Sequence, residues 1–185
     1  KWRTLQHPKV LEPEYLMIRE NALAKRKSAG MRLVFKTIST AIHFRTMLCT
    51  LIPPFPIVNA APSLEPMKAD YVAGLQAVLG SFVFDFLLRQ RMGYLNVNYF
   101  ILADLPLPRL QERFWNRTSF LSLSALRLCG THCSFALEWL HTPYVDGTIS
   151  WRALWACSRY ARLELRVKLD AMVAFLYGLQ PEDYG

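Results

Sequence analysis

The sequence predicts an α+β fold: a small mixed β-sheet, several packed helices and a long C-terminal helix. Three observations predict it. Short runs rich in β-branched and aromatic residues sit in the first half, led by MRLVFKTIS at residues 31–39. Apolar residues recur at three- and four-residue steps after Asp70 and again after Ser150. Hydrophobic residues are 52% of the 185 and charged residues 19%, a composition that builds a core and argues against disorder.

Residues 1–30 are mixed. Pro8 and Pro13 break the start, and Glu14 to Lys27 reads as a short helix with Lys25, Arg26 and Lys27 in its last turn. That triplet reads as a solvated helix end, with phosphate contact as the alternative. Arg32 to Ile38 and Thr46 to Ile52 read as strands, the second stopped by Pro53, Pro54 and Pro56. Ile57 to Asn59 is a third short strand and Pro62 to Pro66 a loop. Asp70 is placed to cap a helix running to Met92, with Val72, Leu75, Leu79, Phe82 and Phe86 on its buried stripe. Within it, Asp85 pairs with Arg89 one turn on. Gly93 stops the helix, and Val97 to Leu102 reads as a strand ended by Pro106 and Pro108.

The remainder reads as helical: Leu110 to Asn116, Ser119 to Cys129 and Ser134 to His141, punctuated by Gly130 and Pro143. A turn over Val145 to Thr148 leads to Ser150, which caps the longest helix, running to Tyr177 before Gly178 and Pro181.

The formal net charge is +8 and the pI about 9.5, which suits a polyanionic partner. The apolar stretch from Tyr71 to Leu88 is interrupted by Gly74, Gln76, Gly80 and Asp85. It falls short of about 20 clean apolar residues and reads as a buried helix, not a membrane span. Four cysteines form no dense framework, so a reducing cytoplasm is expected. Cys129, His132 and Cys133 lack a matching second ligand pair, so no metal site is expected. No nucleophile elbow or glycine-rich phosphate loop is present, and the one Pro-Pro-aromatic run follows Ile52, whose side chain accepts no hydrogen bond. No catalytic residues are assigned.

Three blocks, in order, carry a resemblance. They are RLVFKTISTAIHFRTMLCTLIPP from Arg32, SFVFDFLLRQRMGYLNVNYFILADLPLP from Ser81, and RLELRVKLDAMVAFLYGLQPEDY from Arg162. Together they resemble the C-terminal target-recognition region of restriction-modification adenine methyltransferases of the type IIG class and their phage-defence relatives. Ile42-His43-Phe44 stands where that family usually has a polar Asn-Glu pair. Tyr94 stands where a second Gly is common, and Lys36 replaces a frequent Arg. The resemblance implies a chain that reads double-stranded DNA, with residues 1–30 as an entry segment or linker. Residues 31–108 would be the recognition core and residues 109–185 a helical subdomain. Lys1-Trp2-Arg3, with no Met, reads as a cut into a longer polypeptide. A methyltransferase domain N-terminal in the same polypeptide is then expected to bind S-adenosylmethionine and flip the adenine; this chain needs no cofactor.

Side-chain chemistry nominates the contacts. Arg89, Gln90, Arg91, Asn96 and Asn98 are types that meet base edges, and Tyr94 offers a ring for stacking. Arg152, Arg159 and Arg166 recur every seven residues, with Arg162 adjoining, as a phosphate-binding stripe; a solvated face is the alternative. Arg45 and Thr46 are either backbone contacts or a brace. Residues shared by enzymes with different targets cannot choose a sequence, so Arg89, Arg91 and Asn98 suit phosphate contact or bracing. Base choice is expected in Tyr94 to Val97, Thr40 to Phe44 and Asn59 to Lys68. The rival expectation is a helical protein-interaction module, supported by the apolar composition and five Trp residues.

Overall fold

A computed structural model describes residues 30–64, 68–93, 95–109, 111–142 and 151–184. The expected helix at 14–27 and the turn at 145–148 lie outside them. The fold is α+β, as the sequence predicts; where a mixed sheet was expected, the described strands all pair antiparallel. Strand β1 (Arg32–Phe35) is central, between β2 (Cys49–Ile52) and β3 (Ser63–Leu64). All four residues of β1 are buried, so the strand is covered on both faces.

The first two strands are shorter than their apolar runs suggest. Beyond Phe35 the chain bends, and Ile38 forms an isolated antiparallel bridge with Asn96. The second run forms a strand only from Cys49: Leu48 O still accepts from Lys36 N at 2.9 Å, but the amides of Thr46 and Met47 donate to the Asp85 carboxylate instead of to a strand. Residues 57–59 form no strand. Ala61 N donates to Val58 O at 3.0 Å in a turn, and the third strand falls inside the expected loop.

The helix expected from Asp70 to Met92 is two helices. Asp70 lies within a 3-10 turn (Ala69–Tyr71) and makes no cap bond; it pairs with Arg117. Helix α1 (Val72–Leu79) leads to Gly80 and Ser81, and α2 (Phe82–Arg91) departs at a bend of 73°. Ser81 is extended (φ −77°, ψ 159°), and its Oγ accepts from Phe84 N while donating to Val78 O at 2.6 Å. One hydroxyl thus closes one helix and opens the next. The extended residue resets the helical phase. Val83, Phe84 and Leu88 face the core, while Phe82 and Phe86, expected on the buried stripe, are exposed.

Val97–Leu102 is not a strand. Asn98 is extended (φ −107°, ψ 160°), and α3 (Tyr99–Ala103) follows it. Next come α4 (Glu112–Trp115), α5 (Phe120–Cys129) capped by Ser119, and α6 (Ala136–Leu140) after a 3-10 turn. The C-terminal helix is interrupted too. α7 (Trp151–Leu154) stops, and α8 (Arg159–Leu176) starts afresh, capped by Ser158 Oγ accepting from Ala161 N at 3.0 Å. Ser150, expected to cap a single helix, lies outside the described residues.

One apolar core runs through the described residues. α1, almost wholly buried, packs chiefly on α5, and β2 and α8 also meet α5. The core runs from Leu33 through Val78 and Phe84 to Leu126 and Val173, so the first and last thirds of the chain share it. Among the described residues, no single helix is long and apolar enough to cross a membrane.

Candidate functional site

The site is an edge built on the segment after β1. Thr37 N and Oγ1 both donate to Ala60 O at 3.2 Å. Val97 N donates to Thr37 O at 2.7 Å, and Ser39 N donates to Leu95 O at 2.9 Å. Residues 37–39 therefore clasp the 58–61 turn on one side and the 95–97 segment on the other. The Thr40-to-Phe44 loop leaves from the same point. Each of the three stretches expected to choose a base thus contributes to this edge, the Asn59-to-Lys68 stretch through Ala60. Tyr94 lies outside the described residues.

The loop is held from beneath by α2. Asp85 is 2% exposed, and its Oδ1 accepts from Thr46 N and Met47 N, each at 2.7 Å. Its Oδ2 accepts from Arg89 Nε at 2.9 Å, the i,i+4 pair that the sequence predicts. The guanidinium then turns to the loop backbone: Nη1 donates to Ala41 O at 3.0 Å, and Nη2 donates to His43 O at 2.7 Å and Phe44 O at 3.0 Å. Thr46 is fully buried, and its Oγ1 donates to Thr40 O at 3.0 Å. A planar, multidonor guanidinium fits such a set of carbonyls where an ammonium would not.

Arg45 is a brace as well. Its Nη2 donates to Asp170 Oδ2 at 2.9 Å, and its guanidinium lies 5.4 Å from the centre of the Phe82 ring. The other Asp170 oxygen accepts from Phe82 N at 2.6 Å, at the first turn of α2, where a carboxylate is favoured. Asp170 on α8 thus ties the loop and α2 together.

The cations divide into two sets. Arg45 and Arg89 face protein. So does Arg162, whose Nη1 donates to Leu128 O at 2.9 Å and Ala156 O at 3.1 Å, satisfying a carbonyl at the end of α5. Gln90, Arg91, Asn96 and Asn98 are exposed around the edge, as are Arg159 and Arg166 on α8. Arg152 belongs to α7, so the expected seven-residue stripe does not run along one helix; only Arg159 and Arg166 share one.

Comparison of the chain with protein-family models, with curated proteins and with solved structures gives no match. The site therefore rests on its own geometry.

Among the described residues, no group of three or more His, Cys, Asp or Glu side chains is placed to hold a metal. His132 Nδ1 accepts from Ser134 N at 3.1 Å, so this ring caps a turn. Burial pushes the Cys49 thiol up to about 12, with the nearby Cys129 adding to the shift. The residue keeps some accessible surface, yet its Sγ points inward, 3.9 Å from Gln76 O. Cys133 and Cys157 are exposed.

Sequence reasoning missed the two residues that define the site's shape. Asp170 carries no sequence signal, because its partners Arg45 and Phe82 lie 125 and 88 residues away, and helical spacing gives Asp85 only one partner of three. Ile42 and Phe44 stand out too, at 94% and 90% exposure, the most exposed of an apolar set on this edge that includes Ile38, Val58 and Leu95.

Proposed function

We propose that the chain is a double-stranded DNA recognition module, the target-reading part of a restriction-modification or phage-defence adenine methyltransferase. The observation that carries this reading is the convergence of residues 40–44, 58–61 and 95–97 on one braced edge. Its exposed Gln90, Arg91, Asn96 and Asn98 supply chemistry for phosphates and base edges. The net charge of +8 supports a polyanionic partner, and the three-block resemblance supports the class of enzyme. A methyltransferase domain of the same polypeptide would bind S-adenosylmethionine and perform the transfer. The braced arginines Arg45, Arg89 and Arg162 serve the architecture of the module, and Arg91, Arg159 and Arg166 meet phosphate.

The test is a mobility-shift titration of the full chain on random-sequence duplex across a salt series. Affinity falls steeply with salt, and Arg91→Ala lowers the slope of log affinity against log salt by about 1. Binding that is absent at low salt, or indifferent to salt, defeats the reading. Arg91 is a better probe than Arg89, whose loss also releases the loop.

A protein-interaction module is the second reading. One observation favours it: Tyr160, Leu163, Val167 and Phe175 are all exposed along α8. The Trp residues lend it less, since Trp139 is buried and Trp115 and Trp155 are half-buried. A mainly apolar contact there would hold its affinity as salt rises.

A further inference from the structure

We propose that Ile42 and Phe44 form an apolar wedge that enters the base stack of a DNA duplex and holds one step unstacked. The inference rests on the DNA reading above and names the part of that edge that deforms the duplex.

Both side chains stand almost wholly in solvent, yet the backbone beneath them is anchored at every turn. The carbonyls of Ala41, His43 and Phe44 are taken by Arg89, and that of Thr40 by the Thr46 hydroxyl. His43 N donates to Thr40 O at 3.3 Å, and Thr46 N is held by Asp85. Four carbonyls of the loop thus face inward, while two large apolar side chains face outward. This inverts the pattern of an ordinary surface loop, whose exposed side chains are polar. A loop fixed in advance loses little conformational freedom on binding, so its apolar surface is available for contact.

The surroundings select the occupant. Lys36, Gln90, Arg91 and Asn96 are exposed on the flanking segments, interleaved with exposed Ile38 and Leu95. An apolar protein groove would desolvate these groups without partners. A duplex supplies phosphates and base edges to them, and an apolar interior between stacked bases to Ile42 and Phe44. Proteins that kink DNA pair these two features, cationic contacts outside and an apolar wedge between base steps.

The experiment begins by enriching duplexes of about 30 base pairs, a length a bend can be read on, from a randomised pool with the full chain. End-to-end energy transfer then reports bending, and 2-aminopurine placed along the enriched site reports unstacking. The native chain bends the duplex and raises the fluorescence at one step. The Ile42→Ala/Phe44→Ala chain keeps its thermal midpoint and salt slope, loses the fluorescence rise, and binds about tenfold more weakly. Arg91→Ala lowers the salt slope by about 1 and keeps the rise at saturation. An enriched duplex that stays stacked under the native chain, or a double variant that still unstacks it, overturns the wedge and leaves DNA recognition standing. A pool that yields no enrichment and no salt-sensitive binding overturns both.

Discussion

Asp85 sits where water does not reach, so its charge must be satisfied by protein. Two amides and one guanidinium do so, and that guanidinium carries the satisfaction on to three loop carbonyls. Asp85→Ala leaves two buried amides and an arginine without their acceptor, at a cost of about 3–5 kcal/mol. Arg89→Ala costs less, about 2–3 kcal/mol, because Asp85 keeps its two amides. Urea denaturation of the two variants gives that order, and Arg89→Lys recovers only part of the loss, since an ammonium cannot span the same carbonyls. The ion pair was legible in the sequence because helical spacing fixes it. The amides were not, because they come from 38 and 39 residues away, and no local rule brings Thr46 and Met47 over α2. A second pair of residues sets the alkaline limit. Burial raises the Cys49 thiol from 9.0 to about 12 and the Tyr177 phenol, which donates to Pro106 O, from 10.0 to about 12. Both are acids held neutral by the fold. Their contribution is complete below the unfolded values and is lost as pH rises through the folded ones. Stability therefore declines between pH 9 and 12, and Tyr177→Phe flattens the upper part of that decline in pH-stepped melting. At neutral pH, thiol reagents reach Cys133 and Cys157 well before Cys49.

At the scale of elements, serine hydroxyls decide where helices break. Ser81 is 1% exposed and serves both α1 and α2, so Ser81→Ala costs about 2 kcal/mol. Ser158 caps α8 from an exposed position, and Ser158→Ala costs about 1 kcal/mol or less. The other end of α8 closes through Gly178, whose φ is +81°. Gly178 N donates to Phe175 O and Leu179 N to Ala174 O, the paired bonds of a left-handed cap. Gly178→Ala costs about 1 kcal/mol. Thermal melts of these three variants rank Ser81 first. The Gly178 stop and the helix start at Ser119 were readable because each stands at the edge of an apolar period. Ser81 and Ser158 were not, because each lies inside a run whose three- and four-residue steps continue across it. A serine there reads as one more helical position until its extended backbone is seen. Val97 to Leu102 fails for a related reason. A short apolar run fits either period, and Asn98 with its extended backbone settles it in favour of a helix.

The molecule as a whole places its charges in two roles, and this is what a salt series separates. Arginines that hold carbonyls or carboxylates inside the fold would release no counterions to a polyanion, so under the proposed DNA reading the salt slope counts only the outward set. Composition made the excess of cations plain and spacing made some of them look alike. Arg159, Arg162 and Arg166 are close along one helix, yet Arg162 is spent on Leu128 and Ala156. Only the packing of α8 on α5 distinguishes it. The edge built on residues 37–39 has the same character. Its three stretches were each marked in the sequence, but their meeting depends on bonds from residues 37–39 to residues 60, 95 and 97.

Asp170 gives this architecture a direction in time. Arg45 waits for a carboxylate that lies 125 residues further along the chain. At a synthesis rate of about 5–20 residues per second, that is a delay of roughly 6–25 s. During that interval the first strand, Arg45 and the Arg89 of α2 can leave the ribosome while the Arg45 latch is still open. The edge is therefore finished among the last parts of the domain, and a nascent chain interrupted short of α8 carries its Thr40-to-Phe44 loop without that latch.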